Sequence, residues 1–346
     1  MNPEWQEFLN TQGASIAGDC VMDFGDASAE LQAASNGAIL VDLSHLGLLQ
    51  IDGTDATTFL QGQVTNDVSQ LNGSNSHYAG YCTPKGRLLA LFLAFAHHDY
   101  LHLQLNGALT ESVIKRLKMY VLRSKVSITD VSDSIIRLGL AGKHSTEALQ
   151  QLFASIPQQA HELISHENAT LLRLLDAMAS STPRYQIFTT PEHAPAIWSQ
   201  LKQHATPAGA TSWEWLEIQA GIPDIEPATQ EAFVPQMVNL DALGGINFKK
   251  GCYTGQEIVA RTHYLGKVKR RTQLAHIAAS EAPKPGDNIF SADGNEPVGK
   301  LVRVATAPQG GFDVLAEIRL ESLEAGRVRW NNAELEISEL PYSLAS

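Results

Sequence analysis

Residues 249–257 read Lys-Lys-Gly-Cys-Tyr-Thr-Gly-Gln-Glu, and these residue types at this spacing can activate a sulfur. Cys252 follows Lys249, Lys250 and Gly251 and precedes an expected helix start at Tyr253, Thr254, Gly255 and Gln256. Thr254 and Glu257 have capping-box spacing: the threonine side chain accepts from the N3 amide while the glutamate reaches back to the threonine N–H. A helix N-terminus and nearby lysine charges both favour thiolate over thiol, lowering a cysteine pKa from its free value of about 8.5. The competing reading is a small residue filling a tight turn, because buried inert cysteines are common.

Little else in the composition competes with that loop. Cys20, Cys82 and Cys252 are too widely spaced for a disulfide framework, and no CxxC pair suggests zinc. No His/Cys/Asp spacing supports a three-ligand metal site, and His97-His98-Asp99 reads as a wet turn. The N-terminus lacks the basic and apolar regions of a signal peptide, and no apolar run approaches the ~18 residues of a membrane helix, so a cytoplasmic location is expected. A net charge of −12 argues against wholesale attraction to nucleic acid. The charge is uneven, however. Lys249, Lys250, Arg261, Lys267, Lys269, Arg270 and Arg271 face only Glu257 within one short stretch. Such an island is expected to bind an anion or dock an acidic protein or tRNA; the alternative is a surface answered by acids elsewhere in the fold.

The elements that must position the loop follow from periodicity. Residues 36–51 alternate and run apolar like two strands broken by a turn, and Thr54 is expected to cap a short helix carrying Ala56, Phe59 and Leu60. Tyr78 to Tyr100 reads as a hairpin turning at Pro84-Lys85-Gly86, with Leu88–Ala96 buried on both faces. Val113, Ile114, Leu117, Tyr120 and Val121 share the inner face of a helix. Strand, helix, two strands and helix between Ile135 and His204 predict a ferredoxin-like α/β unit. Trp213–Gly221 predicts a helix stopping at glycine. Beyond Arg271, short strands between turns such as Pro285-Gly286-Asp287, Asp293-Gly294-Asn295 and Gln309-Gly310-Gly311 predict a small β-barrel. The division expected is a discontinuous core at 1–130 and 210–271, an α/β domain at 131–209 and a barrel domain at 272–346.

Several of these segments together resemble one family. Asp42-Leu-Ser-His-Leu-Gly, Gly53-Thr-Asp-Ala, Phe59-Leu-Gln-Gly-Gln-Val-Thr-Asn-Asp, Ile218-Gln-Ala-Gly-Ile-Pro and Phe233-Val-Pro-Gln-Met-Val-Asn-Leu resemble the folate-binding family that unites the glycine-cleavage T-protein, an aminomethyltransferase, with the YgfZ proteins. Lys250-Gly-Cys-Tyr-Thr-Gly-Gln-Glu is similar to the YgfZ hallmark. The resemblance implies an α+β, three-domain cloverleaf-like fold around a folate channel, closed by a C-terminal β-barrel. It implies tetrahydrofolate, or a folate derivative, as the cofactor. It also implies a role in assembling or maintaining iron–sulfur clusters, and through iron–sulfur enzymes in tRNA modification.

The same resemblance assigns residues. Aminomethyltransferases carry an Asp-Asp pair where this chain has Ala90-Leu91, so general acid–base help of roughly 10²–10⁴-fold is missing at that position and aminomethyl transfer is not expected. Gln219 stands where the family has a pterin-anchoring glutamate. Glu217, about 200° round the helix from it, is not expected to substitute. Trp213 aligns with a tryptophan of the folate site and Leu46 with a second one, while Asn66 and Arg261 are further cofactor-binding candidates and His45 a polar lining of the channel.

The leading expectation is therefore a non-catalytic or weakly catalytic tetrahydrofolate-binding protein, with Cys252 as its working thiol, serving iron–sulfur enzymes. One alternative is one-carbon transfer using other acids such as Asp67 or Glu257. The other is a docking module acting through Lys249–Arg271.

Overall fold

The structure is a computed structural model that describes residues 1–177, 182–264, 266, 268–292, 294 and 296–344. Lys267, Asp293 and Asn295, singled out above, lie outside the described residues.

Two antiparallel-rich sheets and a barrel carry the chain. The first sheet has the strand order Leu163–Ser165, Ala169–Arg173, Arg184–Thr189, Ile136–Gly142, Ala38–Asp42, Thr206–Ala208, and only its last pair is parallel. The second runs Ser76–Cys82, Leu88–His97, Tyr100–Asn106, Leu46–Asp52, Ser127–Asp130. The closed barrel joins Arg270–Ile277, Phe312–Arg319, Pro297–Thr306, Asn288–Ser291, Val328–Trp330 and Ala333–Ser338. The succession expected for the α/β unit is present: Ile136–Gly142, the helix Ser145–Leu152, Ala169–Arg173, Arg184–Thr189 and the helix Ala194–Leu201. Its sheet is larger than the unit itself, because Ala38–Asp42 pairs along Ile136–Gly142 and so crosses the division drawn at residue 130.

The apolar run 36–51 does form two strands, but they belong to different sheets, and the chain changes sheet between Asp42 and Leu46. The Asp42-Leu-Ser-His segment builds that crossing. Fully buried Asp42 accepts from Trp5 Nε1 at 2.7 Å, Ser44 Oγ at 2.8 Å and the Ser44 amide at 3.1 Å. Burial still raises its pKa despite those donors. Trp5 belongs to an N-terminal helix, Pro3–Thr11, that packs on Trp198 at 5.7 Å between ring centroids.

Leu88–His97 is buried along nearly its whole length, as its unbroken apolar run requires of a strand covered on both faces. Two local expectations change. Asp55, not Thr54, precedes the helix Ala56–Gln61, without a side-chain capping bond. On the helix Thr110–Val121, Val113 and Leu117 point inward but Tyr120 is 40 % exposed.

The helix Ala210–Gln219 is the hub. It buries Trp213, Trp215, Leu216 and Ile218 and packs against the barrel strands as well as the N-terminal elements. It is buried on most of its faces, polar positions such as Ser212 and Glu217 included. Its two acids, Glu214 and Glu217, are therefore conspicuous. No helix among the described residues is long and apolar enough to cross a membrane.

Candidate functional site

A cleft opens where the hub helix, the second sheet and the barrel meet. Its apolar wall comes from Leu46, Leu91, Phe92, Leu93, Leu105, Leu174 and Ile222, with the rings of Tyr78 and Trp213. Its polar groups are Gln104, Asn106, Gln186, Glu214, Glu217, Asp224 and Arg303. Trp213 is 1 % exposed and lies flat against Gly139, where a Cβ would meet the ring at 2.7 Å. The Arg184 guanidinium stands 5.5 Å from the ring centroid and 3.2 Å from a Glu217 oxygen.

The charges here are coupled. Arg303 donates to Glu214 at 2.8 and 2.6 Å and to the Ile222 carbonyl at 3.1 Å, and it lies 3.6 Å from Glu217. Burial alone would raise the Glu214 pKa, but Arg303 and His45 outweigh it and hold the carboxyl at about 2. Asp224 behaves in the opposite way. Burial lifts it to about 6 even though Arg303 and the 2.7 Å bond from Asn106 Nδ2 oppose the shift. Burial and the neighbouring Asp224 push Glu226 to about 7. The cleft therefore holds permanently ionised carboxylate beside carboxyl that keeps its proton into the mildly acidic range. Three of its buried polar atoms, Trp213 Nε1, Gln104 Oε1 and Gln186 Oε1, have no hydrogen-bond partner among the described residues. Such atoms are costly unless a ligand or water satisfies them.

The cysteine loop forms a second locus. Lys250 turns inward and donates to the carbonyls of Val64 at 2.6 Å and Asn66 at 2.7 Å, with Tyr253's ring centroid 5.2 Å from its Nζ. Burial lowers its pKa to about 8, with Asp67 opposing. The Thr254 amide donates to the Gly62 carbonyl, and Gly255 sits against the turn of the long hairpin. At φ +87°, with Thr83 O only 2.5 Å from where a Cβ would stand, position 255 admits glycine alone without rearrangement. The segments around Phe59–Asp67 and Lys250–Glu257, far apart in sequence, are thus stapled together. Cys252 itself is exposed. It is not among the residues lining the cleft.

Comparison with known proteins agrees with this architecture. A family model described as the GCVT N-terminal domain matches residues 21–247. Curated relatives called "tRNA-modifying protein YgfZ" are 34% identical over 310 residues in Sodalis glossinidius and 35% identical over 309 residues in Escherichia fergusonii. Each match covers 88% of this chain and 93% of the relative. The chain belongs to the YgfZ family. The crystal structure of glycine cleavage system aminomethyltransferase T from Bartonella henselae superposes with a TM-score of 0.74 at 16% identity, covering 99% of this chain and 97% of that one. The YgfZ chain thus has the α+β T-protein fold with its C-terminal closed barrel.

Within this YgfZ fold the expected site residues divide. Trp213 and Leu46 line the cleft, and so does Leu91 of the Ala90-Leu91 pair. Gln219 does not. Its amide donates to Asp313 Oδ2 at 2.9 Å, beside Trp215 Nε1 at 2.7 Å, on the barrel side of the helix. Glu217 faces the cleft instead. Asn66 is structural: its Nδ2 donates to the Tyr78 and Gly244 carbonyls, both at 2.8 Å. Arg261 is exposed on the helix Gln256–Tyr264, away from the cleft lining. His45 reaches the cleft indirectly, 3.6 Å from Glu214. The Thr254–Glu257 capping box is replaced by Gly255 at the helix entry, and no side-chain bond joins the two among the described residues. Of the two lysines expected to polarise the sulfur, Lys250 spends its charge on backbone carbonyls.

The basic island also shrinks. Arg270 pairs with Glu317 at 2.9 Å, and Arg271 forms a two-pronged pair with Asp241 at 2.6 and 2.9 Å. Asp67 and Glu257, considered as alternative acids, are not cleft residues. Sequence reading missed Glu214, Asp224, Arg303, Gln104 and Gln186. The i, i+3 spacing of Glu214 and Glu217 between tryptophans and aliphatic residues is a usable signal for two acids on one side. Arg303 had none, since it arrives from the barrel.

Proposed function

We propose that this protein binds tetrahydrofolate or a related folate in the Trp213 cleft and, through Cys252, serves iron–sulfur enzymes and hence tRNA modification as a cytoplasmic helper. The observation that carries the folate half is the cleft's polar inventory. A pterin presents a guanidine-like donor edge, ring acceptors and a flat aromatic body. Glu217 would accept the donor edge through a charge-assisted bond, and Gln104, Gln186 and Trp213 bring otherwise unpartnered polar atoms to a surface of aromatic and aliphatic side chains. A bound folate supplies one-carbon carrier chemistry. This chain's own residues bind and orient it, and Leu91 puts an alkyl group where the aminomethyltransferases are expected to hold an acid.

The thiol half rests on the exposed Cys252 held in a rigidly stapled loop, and on relatives named for tRNA modification. Complementation of a strain lacking its YgfZ protein tests it. Wild type restores iron–sulfur-dependent tRNA modification, whereas Cys252→Ala, folded and able to bind folate, does not. Full rescue by Cys252→Ala removes the sulfur from the account. One observation favours the transferase reading: Asp224 places in the cleft a carboxyl that burial lifts to about 6, a value suited to proton transfer near neutrality. Turnover of a formaldehyde-derived folate adduct that disappears in Asp224→Asn would establish that reading.

A further inference from the structure

We propose that the outer face of the helix Gln256–Tyr264, with Phe248 and Lys249 beside it, is a binding surface for single-stranded RNA. This goes beyond the folate reading and does not depend on it. Phe248 and His263 stack at 3.8 Å between centroids with 13° between their planes. Tyr264 meets both edge-on, at 4.7 Å from His263 and 6.1 Å from Phe248. Phe248 is half-buried and packs against the main core, His263 is exposed, and Tyr264 is 64 % exposed. The stack is thus rooted in the protein and ends in solvent, where a base can extend it.

Charge surrounds these rings. Lys249 adjoins Phe248, Arg261 shares a helix face with Tyr264 three residues on, and Lys269 follows the helix; all three are exposed. None has an acidic partner among the described residues, in contrast to Arg270 and Arg271. Glu257, also exposed, is the acid of this helix and weakens the field without cancelling it. Aromatic faces flanked by cations suit unpaired bases with their phosphates, because any base can stack on a π-surface and the backbone supplies the charge. A duplex fits poorly, since its bases already stack on one another. The aliphatic side chains of this helix face inward, Val259 fully buried and Ile258 packed on Gly86, so the outer face offers rings and cations. RNA held here would lie next to the exposed Cys252 loop, which leads directly into the helix.

Fluorescence anisotropy with a labelled, unstructured short RNA tests the surface on the full-length protein. Tyr264→Ala and His263→Ala each weaken binding roughly 5- to 100-fold, while Tyr264→Phe, which keeps the ring, binds as wild type does. Arg261→Gln lowers the slope of log affinity against log salt by about 0.7. The corresponding duplex binds more weakly than the single strand. Circular dichroism and Tm confirm that each variant is folded. Absence of RNA binding by wild type overturns the proposal. So does binding that survives Tyr264→Ala and responds only to salt, the mark of unspecific attraction.

Discussion

Burial in the cleft lifts the Asp224 carboxyl to about 6, and this has a consequence for stability. Its folded pKa lies above the unfolded value of about 3.9, so between those values the native state holds a proton that the unfolded state has lost. Stability therefore falls as pH rises through that window, and the penalty is complete above it. Asp224→Asn keeps the acceptor for Asn106 and removes the buried charge. It is expected to raise Tm by a few degrees at neutral pH and to flatten the dependence between about pH 4 and 6, measured by thermal melts across that range. Glu217 and Gln219 show how far single residues were legible. Their opposite orientation follows from helix geometry alone. Which of them faces the cleft depends on Arg303 and Asp313 reaching the two sides of the helix from the barrel, and neither contact leaves a local trace. Trp213 and Leu46 were placed through a family likeness, not through any property of their own neighbourhoods.

Among the elements, the hairpin turn and the cysteine loop define each other. Gly255→Ala puts a methyl group into the Thr83 carbonyl at a backbone angle that disfavours alanine. The expected cost is about 1–3 kcal/mol in urea unfolding, with folate binding in the separate cleft retained by the folded fraction. A variant as stable as wild type would show that the loop is not clamped as described. The strand Leu88–His97 was readable because continuous apolar sequence admits no solvated face, and the hub helix because it stops at Gly221 just before Pro223. Sheet membership was not: nothing local separates Ala38–Asp42, which joins one sheet, from Leu46–Asp52, which joins the other. The helix begins one residue later than a Thr254 cap would place it, and the Thr254 amide that the box needs is taken by the Gly62 carbonyl from a distant segment.

At the scale of the whole molecule, the barrel meets the hub through Leu274, Val302, Ala305 and Leu315, which join the main apolar core, and through a few buried polar contacts. Arg303 bonds Glu214 and the Ile222 carbonyl, and Asp313 collects Trp215, Gln219 and His276, the last at 2.7 Å. Arg303→Ala leaves Glu214 without its cation, and breaking such a buried pair typically costs about 3–5 kcal/mol. Calorimetry of that variant is expected to show a lower Tm and a barrel transition that separates from the rest; an unshifted single transition would mean that docking relies on apolar packing. The barrel domain and the family fold were legible in turn spacing and motifs, whereas the cleft was not, since its walls come from three parts of the chain that only folding brings together. The central claim is that ligand binding resides in this cleft, apart from the sulfur loop. Isothermal titration of tetrahydrofolate into wild type, Glu217→Gln and Cys252→Ala tests it most directly. Saturable binding to wild type, weakened roughly 10- to 100-fold by Glu217→Gln and unchanged by Cys252→Ala, is the predicted result. No binding to wild type, or binding that ignores Glu217→Gln and is lost with Cys252→Ala, would contradict it.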